Sequence, residues 1–173
     1  RLKEALRAEH APKAALALEQ LQLVAGISIE GNLEPECGFD GVYVYDSTHE
    51  GWPVMKKAAG EFYCYRDVVN EQWALSTRSS SEDMDGADAH FIYVNAPEGP
   101  LPVGAHTWRL FRNDATWTDH TLTVAVLSTS EEATLAEQRC DAAFQAIQAP
   151  MIAAVRTQLD NAVGVLLEGH PDN

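Results

Sequence analysis

Cysteine is scarce in this chain of 173 residues, which contains only Cys37, Cys64 and Cys140. An odd number of widely spaced cysteines does not indicate a disulfide framework, and zinc sites use closely spaced Cys or His pairs, which are also missing. Cys64 fits a small buried hydrophobic position. The sequence therefore predicts a core that is held together by packing, and it predicts no cofactor.

Long apolar runs and catalytic signatures are absent as well. No stretch approaches the ~20 consecutive apolar residues that span a bilayer, so no membrane insertion is predicted. The chain has no Gly-x-Ser-x-Gly, no glycine-rich phosphate loop and no His-Glu-x-x-His. An enzyme is therefore not the leading interpretation.

Positive charge is also scarce: the formal net charge is -14, and the acidic excess lies after residue 26. An acidic body repels phosphate backbones and anionic lipids, so nucleic acid is not a predicted partner. A basic protein, a cation or a neutral ligand such as a glycan is compatible with this charge. The chain has no Asn-x-Ser/Thr sequon, which favours an intracellular location. Because it begins at Arg1, we expect a processed form or a piece of a longer protein.

Short strands that carry large aromatic residues, each preceded by a Gly or Pro turn, are abundant from residue 41 to residue 127. The strand at 60–66 places Phe62 and Cys64 on one face and Tyr63 and Tyr65 on the other. Because both faces are apolar or amphipathic, an antiparallel β-sandwich or small barrel is favoured over an open sheet. Residues 27–127 are therefore predicted to form a β domain in an α+β, mainly β protein.

Helical segments are predicted on both sides of the β domain. The N-terminal segment, residues 1–26, is rich in helix formers, and Pro12 is expected to break or kink it. The C-terminal segment, residues 128–173, begins with capping-box sequences, and Pro150 is expected to kink a single helix. Its apolar seam is predicted to pack on the sheet, on the N-terminal helix or on a partner. The residues of this partner seam are Phe144, Ile147, Met151, Val155 and Leu159.

Aromatic residues are the main candidates for a ligand-binding surface. Four tryptophans and five tyrosines are enough for two or three to be exposed together, and sugar rings stack on such platforms. The competing interpretation is that the aromatics fill the core. Trp52 stands in a Gly-Trp-Pro turn, so it is the tryptophan that we expect to face outward. The candidate ligand-binding residues are Trp52, Tyr45 and Trp73.

An acidic stretch at residues 82–88 offers carboxylates beside a glycine turn, and carboxylate oxygens are preferred ligands of calcium. The candidate metal ligands are Asp83, Asp85 and Asp88. The closing Glu of an EF-hand loop is missing, because the residues after Gly86 lead into a strand. A solvated acidic loop is the competing interpretation.

A series of turn and core residues carries a family resemblance. The series contains Gly41-Val-Tyr, Gly51-Trp-Pro-Val, Trp73-x-Leu-Ser, Gly99-Pro-Leu-Pro-Val-Gly-Ala-His-Thr-Trp108 and Trp117-x-Asp-x-Thr-Leu-Thr-Val124. It resembles a β-rich module that recurs, sometimes in tandem, in large proteins of algae and other protists. The resemblance covers only the sheet region. It implies a scaffold or recognition unit rather than an enzyme, and it assigns no functional residue.

Three functional hypotheses follow from the sequence. The leading one is a non-catalytic protein-interaction or assembly module of a larger protein or complex, which binds a protein partner or associates with itself. The alternative is a carbohydrate or small-ligand binding domain that uses exposed aromatic residues. A small enzyme is the third, and it requires a pocket that gathers at least two of His49, His106 and His120 with acidic residues.

Overall fold

The computed structural model describes residues 2–31, 38–77, 91–95, 99–111 and 116–168. Its eight antiparallel strands follow one another in sequence order, and the last strand pairs with the first, so the sheet closes into a barrel. In chain order the elements are α1 (Leu2–Gln22), β1 (Gly26–Glu30), β2 (Gly41–His49), β3 (Trp52–Lys57), β4 (Tyr63–Asp67), β5 (Gln72–Ser76), β6 (Phe91–Asn95), β7 (Gly104–Phe111), β8 (Trp117–Leu127) and α2 (Ser130–Glu168). The prediction of a mainly β, α+β protein is confirmed, and a barrel is the form that it takes.

The barrel interior is filled by the inward-facing side chains of alternate strand positions. In β1, for example, Ile27 and Ile29 are fully buried in the core. An eight-stranded barrel is just wide enough for side chains to fill it or to hold one small ligand. Closure also removes the unpaired strand edges that otherwise promote aggregation. The core residues contributed by the other strands include Tyr43, Met55, Cys64, Trp73, Leu75, Ile92, Val94, Trp108, Leu110, Leu122 and Val124.

Helix α1 closes one end of the barrel, which we call the α1 end. In an up-and-down barrel alternate connections lie at the same end, so the α1–β1, β2–β3, β4–β5 and β6–β7 connections share it. Ala14, Ala17 and Leu21 of α1 belong to the same buried cluster as the barrel interior. Arg7 Nη2 donates to Glu50 Oε1 beyond the end of β2 at 2.8 Å. These contacts hold α1 across the barrel opening.

Both helices continue through their internal prolines. Helix α1 includes Pro12 and helix α2 includes Pro150. A break at Pro12, one of the two outcomes expected there, does not occur. The turns that follow Pro12 bury Ala14 and Ala17 against the barrel, and this packing outweighs the loss of one helical hydrogen bond. The single helix expected across Pro150 is observed.

Helix α2 begins at the predicted capping box and then packs on the outside of the barrel. Glu132 N donates to Thr129 Oγ1 at 3.2 Å, and Thr129 N donates to Glu132 Oε2 at 3.3 Å. This reciprocal pair satisfies two amides that would otherwise be unpaired at the helix start. The contact surface beyond it consists of Ala133, Ala136, Val42 and Leu127.

Two polar contacts fix the direction of α2 along the barrel wall. Val42 N donates to Glu137 Oε2 at 2.9 Å, and Arg139 Nη2 donates to Glu30 Oε1 at 2.8 Å. Because Glu30 ends β1, α2 runs from the α1 end toward the opposite end of the barrel. The helix is therefore presented in a defined direction where it leaves the wall.

Tyr43 is a buried phenol whose protonation is linked to folding. It is 0% exposed, and its hydroxyl donates to the Phe39 carbonyl at 2.7 Å. Burial raises the pKa of Tyr43 well above its usual value. Burial likewise raises the pKa of the Cys64 thiol and raises the pKa of Cys140 to about 12. Because these folded-state pKa values are raised, the stability that the groups contribute is lost as pH rises above their unfolded values.

Tyr43→Phe is expected to destabilise the protein at pH 7 and to make it less sensitive to alkali. At pH 7 the variant loses one buried hydrogen bond, which lowers the free energy of unfolding by ~1 kcal/mol. Above pH ~10 the phenol at position 43 ionises when the parent unfolds, and the variant has no phenol there. The difference in unfolding free energy between the parent and the variant should therefore shrink by ~1.4 kcal/mol per pH unit. Urea unfolding at pH 7 and pH 11 measures both effects. Tyr45→Phe, at an exposed tyrosine, is the control, and a gap that is the same at both pH values contradicts the prediction.

Candidate functional site

The predicted ligand-binding aromatics lie in two different environments. Trp52 and Trp73 are only 3% and 1% exposed, and their ring centroids lie 5.8 Å apart in an edge-on contact. Tyr45 is 50% exposed, and none of the described ring contacts joins it to this pair. The expectation that Trp52 faces solvent is wrong, because the Trp52 ring packs against Trp73 in the barrel interior and against His10 of α1. A stacking platform needs an exposed ring face, so we do not propose glycan binding at these tryptophans.

Trp52 is surrounded by nitrogen-bearing side chains from three other elements. The Arg66 guanidinium carbon lies 5.4 Å from the centroid of the Trp52 ring, and the His10 ring centroid lies 6.1 Å from it. His49 is the register partner of Trp52 in the β2–β3 pair. We call Trp52, Arg66, His10 and His49 the Trp52 cluster. It lies at the α1 end of the barrel.

Arg66 is a charged residue in an almost fully buried position. It is 4% exposed, and the alternation along β4 places it on the same face as the core residue Cys64. Its Nε and Nη1 atoms have no hydrogen-bond partner among the described residues. Burial lowers the pKa of the guanidinium, and the nearby Glu71 and Asp67 carboxylates oppose that effect. A buried cation with two unsatisfied donors is costly, so packing alone does not account for Arg66.

The Asp67 and Glu71 carboxylates near Arg66 interact with other groups. Asp67 Oδ1 accepts from Val69 N and Asn70 N at 3.0 Å each, so Asp67 stabilises the β4–β5 turn. The Glu71 side chain is 60% exposed, and its Oε1 lies 3.5 Å from His10 Nε2. Neither carboxylate occupies Arg66 Nε or Nη1.

A groove runs beside the Trp52 cluster, between α1 and the β2–β3 turn. Its volume is about 580 Å³, and Ala11, Ala14 and Leu18 of α1 face Gly51 and Trp52 across it. This volume lies within the range of small-molecule sites. Trp52 is the member of the cluster that lines the groove.

The three histidines whose convergence would favour an enzyme make separate contacts. His49 belongs to the Trp52 cluster, His106 Nε2 lies 3.0 Å from the Val103 carbonyl oxygen, and His120 Nε2 lies 2.9 Å from Thr118 Oγ1. No described contact links any two of the three. The structure therefore adds no support to the hypothesis of a small enzyme.

Metal binding has no support in the described part of the chain. Within the ranges that the structure describes, no group of three or more His, Cys, Asp or Glu side chains is arranged to hold a metal ion. The predicted calcium ligands Asp83, Asp85 and Asp88 lie outside the described residues. The calcium hypothesis therefore stays a prediction.

A second candidate surface is the part of α2 that follows Cys140. Cys140 is 7% exposed, and no residue after it up to residue 160 is buried. Residues 141–168 extend the helix by ~42 Å at 1.5 Å per residue. Four of the five partner-seam residues are exposed, Ile147 is half-buried, and Ile152 adds to the apolar surface. The exposed fractions are 41% for Phe144, 55% for Met151, 62% for Ile152, 56% for Val155 and 61% for Leu159.

Charged residues are rare on this part of α2. Arg156 is the only charged residue between Asp141 and Asp160. Helices that are apolar on most sides are normally buried, and large exposed apolar patches mark interaction surfaces. The exposed part of α2 therefore has the properties of an unpaired interface.

Sequence reasoning missed two members of the Trp52 cluster. The signal for Arg66 was present, because the period of two that places Phe62 and Cys64 on one face of the strand extends to residue 66. No local signal pointed to His10, because its proximity to Trp52 depends on α1 docking against a turn about 40 residues later. The cluster is thus a product of tertiary structure.

Comparisons with known proteins leave the function open. In the described ranges no helix is both long enough and apolar enough to cross a membrane. No family model matches the chain, and no curated protein and no solved structure is detectably similar to it. Its function must therefore be inferred from the geometry of its own residues.

Proposed function

We propose that the protein is a non-catalytic assembly module that associates with a second copy of itself through the exposed part of α2. The observation that carries the proposal is the exposed partner seam on a helix that has left the barrel wall. Burial of apolar surface is favourable by ~25 cal/mol per Å², so such a seam gains stability when it is covered. The Glu137 and Arg139 contacts anchor the base of the helix.

The charge pattern favours a second copy in an antiparallel arrangement. If two α2 helices cross near residues 148 and 149, Arg156 of each copy lies opposite Asp141 of the other, on the same side of the seam. The antiparallel arrangement also keeps the two barrels at opposite ends of the helix pair. This separation matters because each chain carries a formal charge of -14.

The spacing of the seam suits a nearly straight helix pair. Phe144 and Val155 are eleven residues apart, with Ile147 and Met151 between them. An eleven-residue repeat has about 3.67 residues per turn, close to the 3.6 of an undistorted helix. Two such helices can therefore pack over several turns with little supercoiling. The resemblance to a module that recurs in tandem is consistent with an assembly role.

Met151→Glu with Val155→Glu is expected to convert the dimer to a monomer. Two carboxylates in the middle of an apolar seam would have to be desolvated without partners, so the dissociation constant should rise at least ~100-fold. Size-exclusion chromatography with light scattering over a concentration series measures the effect. Glutamate is a good helix former, so the circular dichroism spectrum should not change.

The matched control is Ala149→Glu with Ala153→Glu. It adds the same charge with the same four-residue spacing, but at exposed positions on the face of α2 opposite the seam. This control should associate as the parent chain does. If the parent is monomeric at every concentration, or if both double variants dissociate equally, α2 is not a self-association surface.

A further inference from the structure

We propose that the barrel binds the carboxylate group of a small apolar molecule at the Trp52 cluster, and that Arg66 is the residue that holds this carboxylate. The site lies at the α1 end of the barrel, beneath the Trp52 ring. It is separate from the exposed part of α2, which leaves the wall toward the opposite end. The inference is thus independent of the proposed assembly function.

An anionic acceptor would satisfy the unpaired hydrogen-bond donors of Arg66. The residue is 4% exposed, and among the described residues nothing accepts a hydrogen bond from Nε or Nη1. A guanidinium does not lose its charge in the physiological range, so Arg66 cannot remove the cost of burial by deprotonation. A carboxylate supplies two acceptor oxygens and a compensating charge, and its bonds to arginine are short and strong.

The surroundings of Arg66 favour a single negative charge on an apolar body. His10 Nε2 lies 3.5 Å from Glu71 Oε1, whereas two nitrogen atoms of the Arg66 guanidinium have no hydrogen-bond partner among the described residues. A doubly charged phosphate would be repelled by the nearby carboxylates of Asp67 and Glu71. The Trp52 ring lies over the guanidinium, and Cys64 and Trp73 are neighbours of Arg66 on the inner face of β4 and β5. A monocarboxylate with a hydrocarbon tail matches both features.

A second unpaired donor lies on the same row of the barrel. Arg66 pairs with Trp73, Trp73 pairs with Val94, and the β6–β7 register continues this row to Trp108. Trp108 is 0% exposed, and its Nε1 atom has no partner in the described ranges. Its indole N–H is therefore a further donor that points into the interior.

Access to the site depends on α1. The groove of about 580 Å³ along α1 ends at Trp52, whose ring covers the guanidinium. Small side chains, Ala11 and Ala14, line the α1 side of the groove. We infer that a ligand enters along this groove by displacing the Trp52 ring. Tryptophan fluorescence is therefore a suitable signal of binding.

Titration with sodium octanoate, followed by calorimetry and tryptophan fluorescence, tests the proposal. The parent chain should bind octanoate, and its melting temperature should rise with octanoate concentration. The neutral 1-octanol should bind at least ~10-fold more weakly, because it cannot pair with the guanidinium. In Arg66→Met the octanoate affinity should fall at least ~30-fold and the 1-octanol affinity should stay the same.

Arg109→Met is the matched control. Arg109 also lies 5.4 Å from a tryptophan ring, that of Trp117, but it is exposed on the outside of the barrel and lies 3.5 Å from Asp119. Its loss should leave octanoate binding unchanged. Arg66→Met should fold and melt at a higher temperature than the unliganded parent, because a buried unpaired charge is removed. If that variant does not fold, Arg66→Lys should show a smaller loss of octanoate affinity.

Three outcomes would overturn the proposal. Equal affinity for octanoate and 1-octanol would show that the carboxylate is not recognised. Binding of neither compound by the parent would mean that ordered water satisfies Arg66. Equal loss of octanoate binding in Arg66→Met and Arg109→Met would show that the effect is one of net charge.

Discussion

Replacing Trp73 with alanine is expected to lower the free energy of unfolding by ~3–5 kcal/mol. Trp73 is 1% exposed, and it lies in β5 with Arg66 as its partner on one side and Val94 on the other. Truncation would leave a cavity in the barrel interior and would remove the edge-on contact with the Trp52 ring. Because the barrel wall is a closed sheet, it can collapse only partly into that cavity. Urea unfolding followed by circular dichroism measures the loss.

Trp117→Ala is the matched control for this substitution. Trp117 is 42% exposed, and its ring contacts Tyr93 and Phe111 at centroid distances of 5.3 and 5.0 Å. Its truncation leaves no closed cavity, so the expected loss is ~1 kcal/mol. Equal losses in the two variants would mean that Trp73 does not contribute to a packed interior.

The strands could be predicted from local sequence, but the closure of the sheet could not. Turn residues and alternating apolar positions indicated the strands between residue 41 and residue 127. The same alternation suits one inner face of a sandwich and the inner wall of a barrel. The sheet is a barrel rather than a sandwich because Gly26 pairs with Leu127 and Ile27 pairs with Val126. Those residues are about 100 positions apart, so no local pattern reveals the contact.

The buried face of α1 follows the helical spacing of its apolar residues only in part. That spacing puts Ala14, Leu18 and Leu21 on one face, and the structure buries Ala14 and Leu21 but leaves Leu18 only half-buried. Ala17, which is 0% exposed, takes the central position. Small side chains allow the helix backbone to approach the barrel opening closely, and this requirement depends on the shape of the barrel.

The candidate site shows the same limit of sequence reasoning. Trp52 and Trp73 were identified as binding candidates, and the structure does bring their rings together. The environment of Trp52 was predicted incorrectly, because a Gly-Trp-Pro turn does not show which way the ring points. The ring packs on Trp73 inside the barrel and on His10 of α1. It also lies over Arg66, which is a buried cation on the inner face of β4.

The two proposed surfaces should act independently. The Trp52 cluster lies at the α1 end, whereas α2 passes Glu30 toward the opposite end before its seam becomes exposed. Changes at Met151 and Val155 should therefore leave octanoate binding unaltered, and Arg66→Met should leave self-association unaltered. Distant sites without shared partners normally contribute additively. Failure of one proposal would thus not decide the other.

Gly26→Ala is expected to destabilise the protein by ~2–4 kcal/mol, because it combines backbone strain with a steric clash. Gly26 has a φ of +154°, which side-chain-bearing residues rarely adopt, and an added Cβ would lie 2.5 Å from the Tyr43 carbonyl oxygen. The neighbouring Ala25 N donates to the Leu127 carbonyl at 2.7 Å. Relief of the clash must therefore move the junction between α1 and β1. We expect α1 to detach from the barrel end more often in this variant.

Gly60→Ala separates the two contributions, because Gly60 has the same φ of +154° without the clash. Its added Cβ would meet only the Lys57 side chain, Cδ at 3.5 Å and Cγ at 4.0 Å, so this variant should lose ~1 kcal/mol from backbone strain alone. The difference between the two variants in urea unfolding therefore measures the steric cost at Gly26. Native-state hydrogen exchange of the α1 amides should accelerate in Gly26→Ala and stay at the parent rate in Gly60→Ala. Equal unfolding free energies and unchanged α1 exchange would show that the α1–β1 junction is not packed against Tyr43 as described, and access to Arg66 would then not depend on α1.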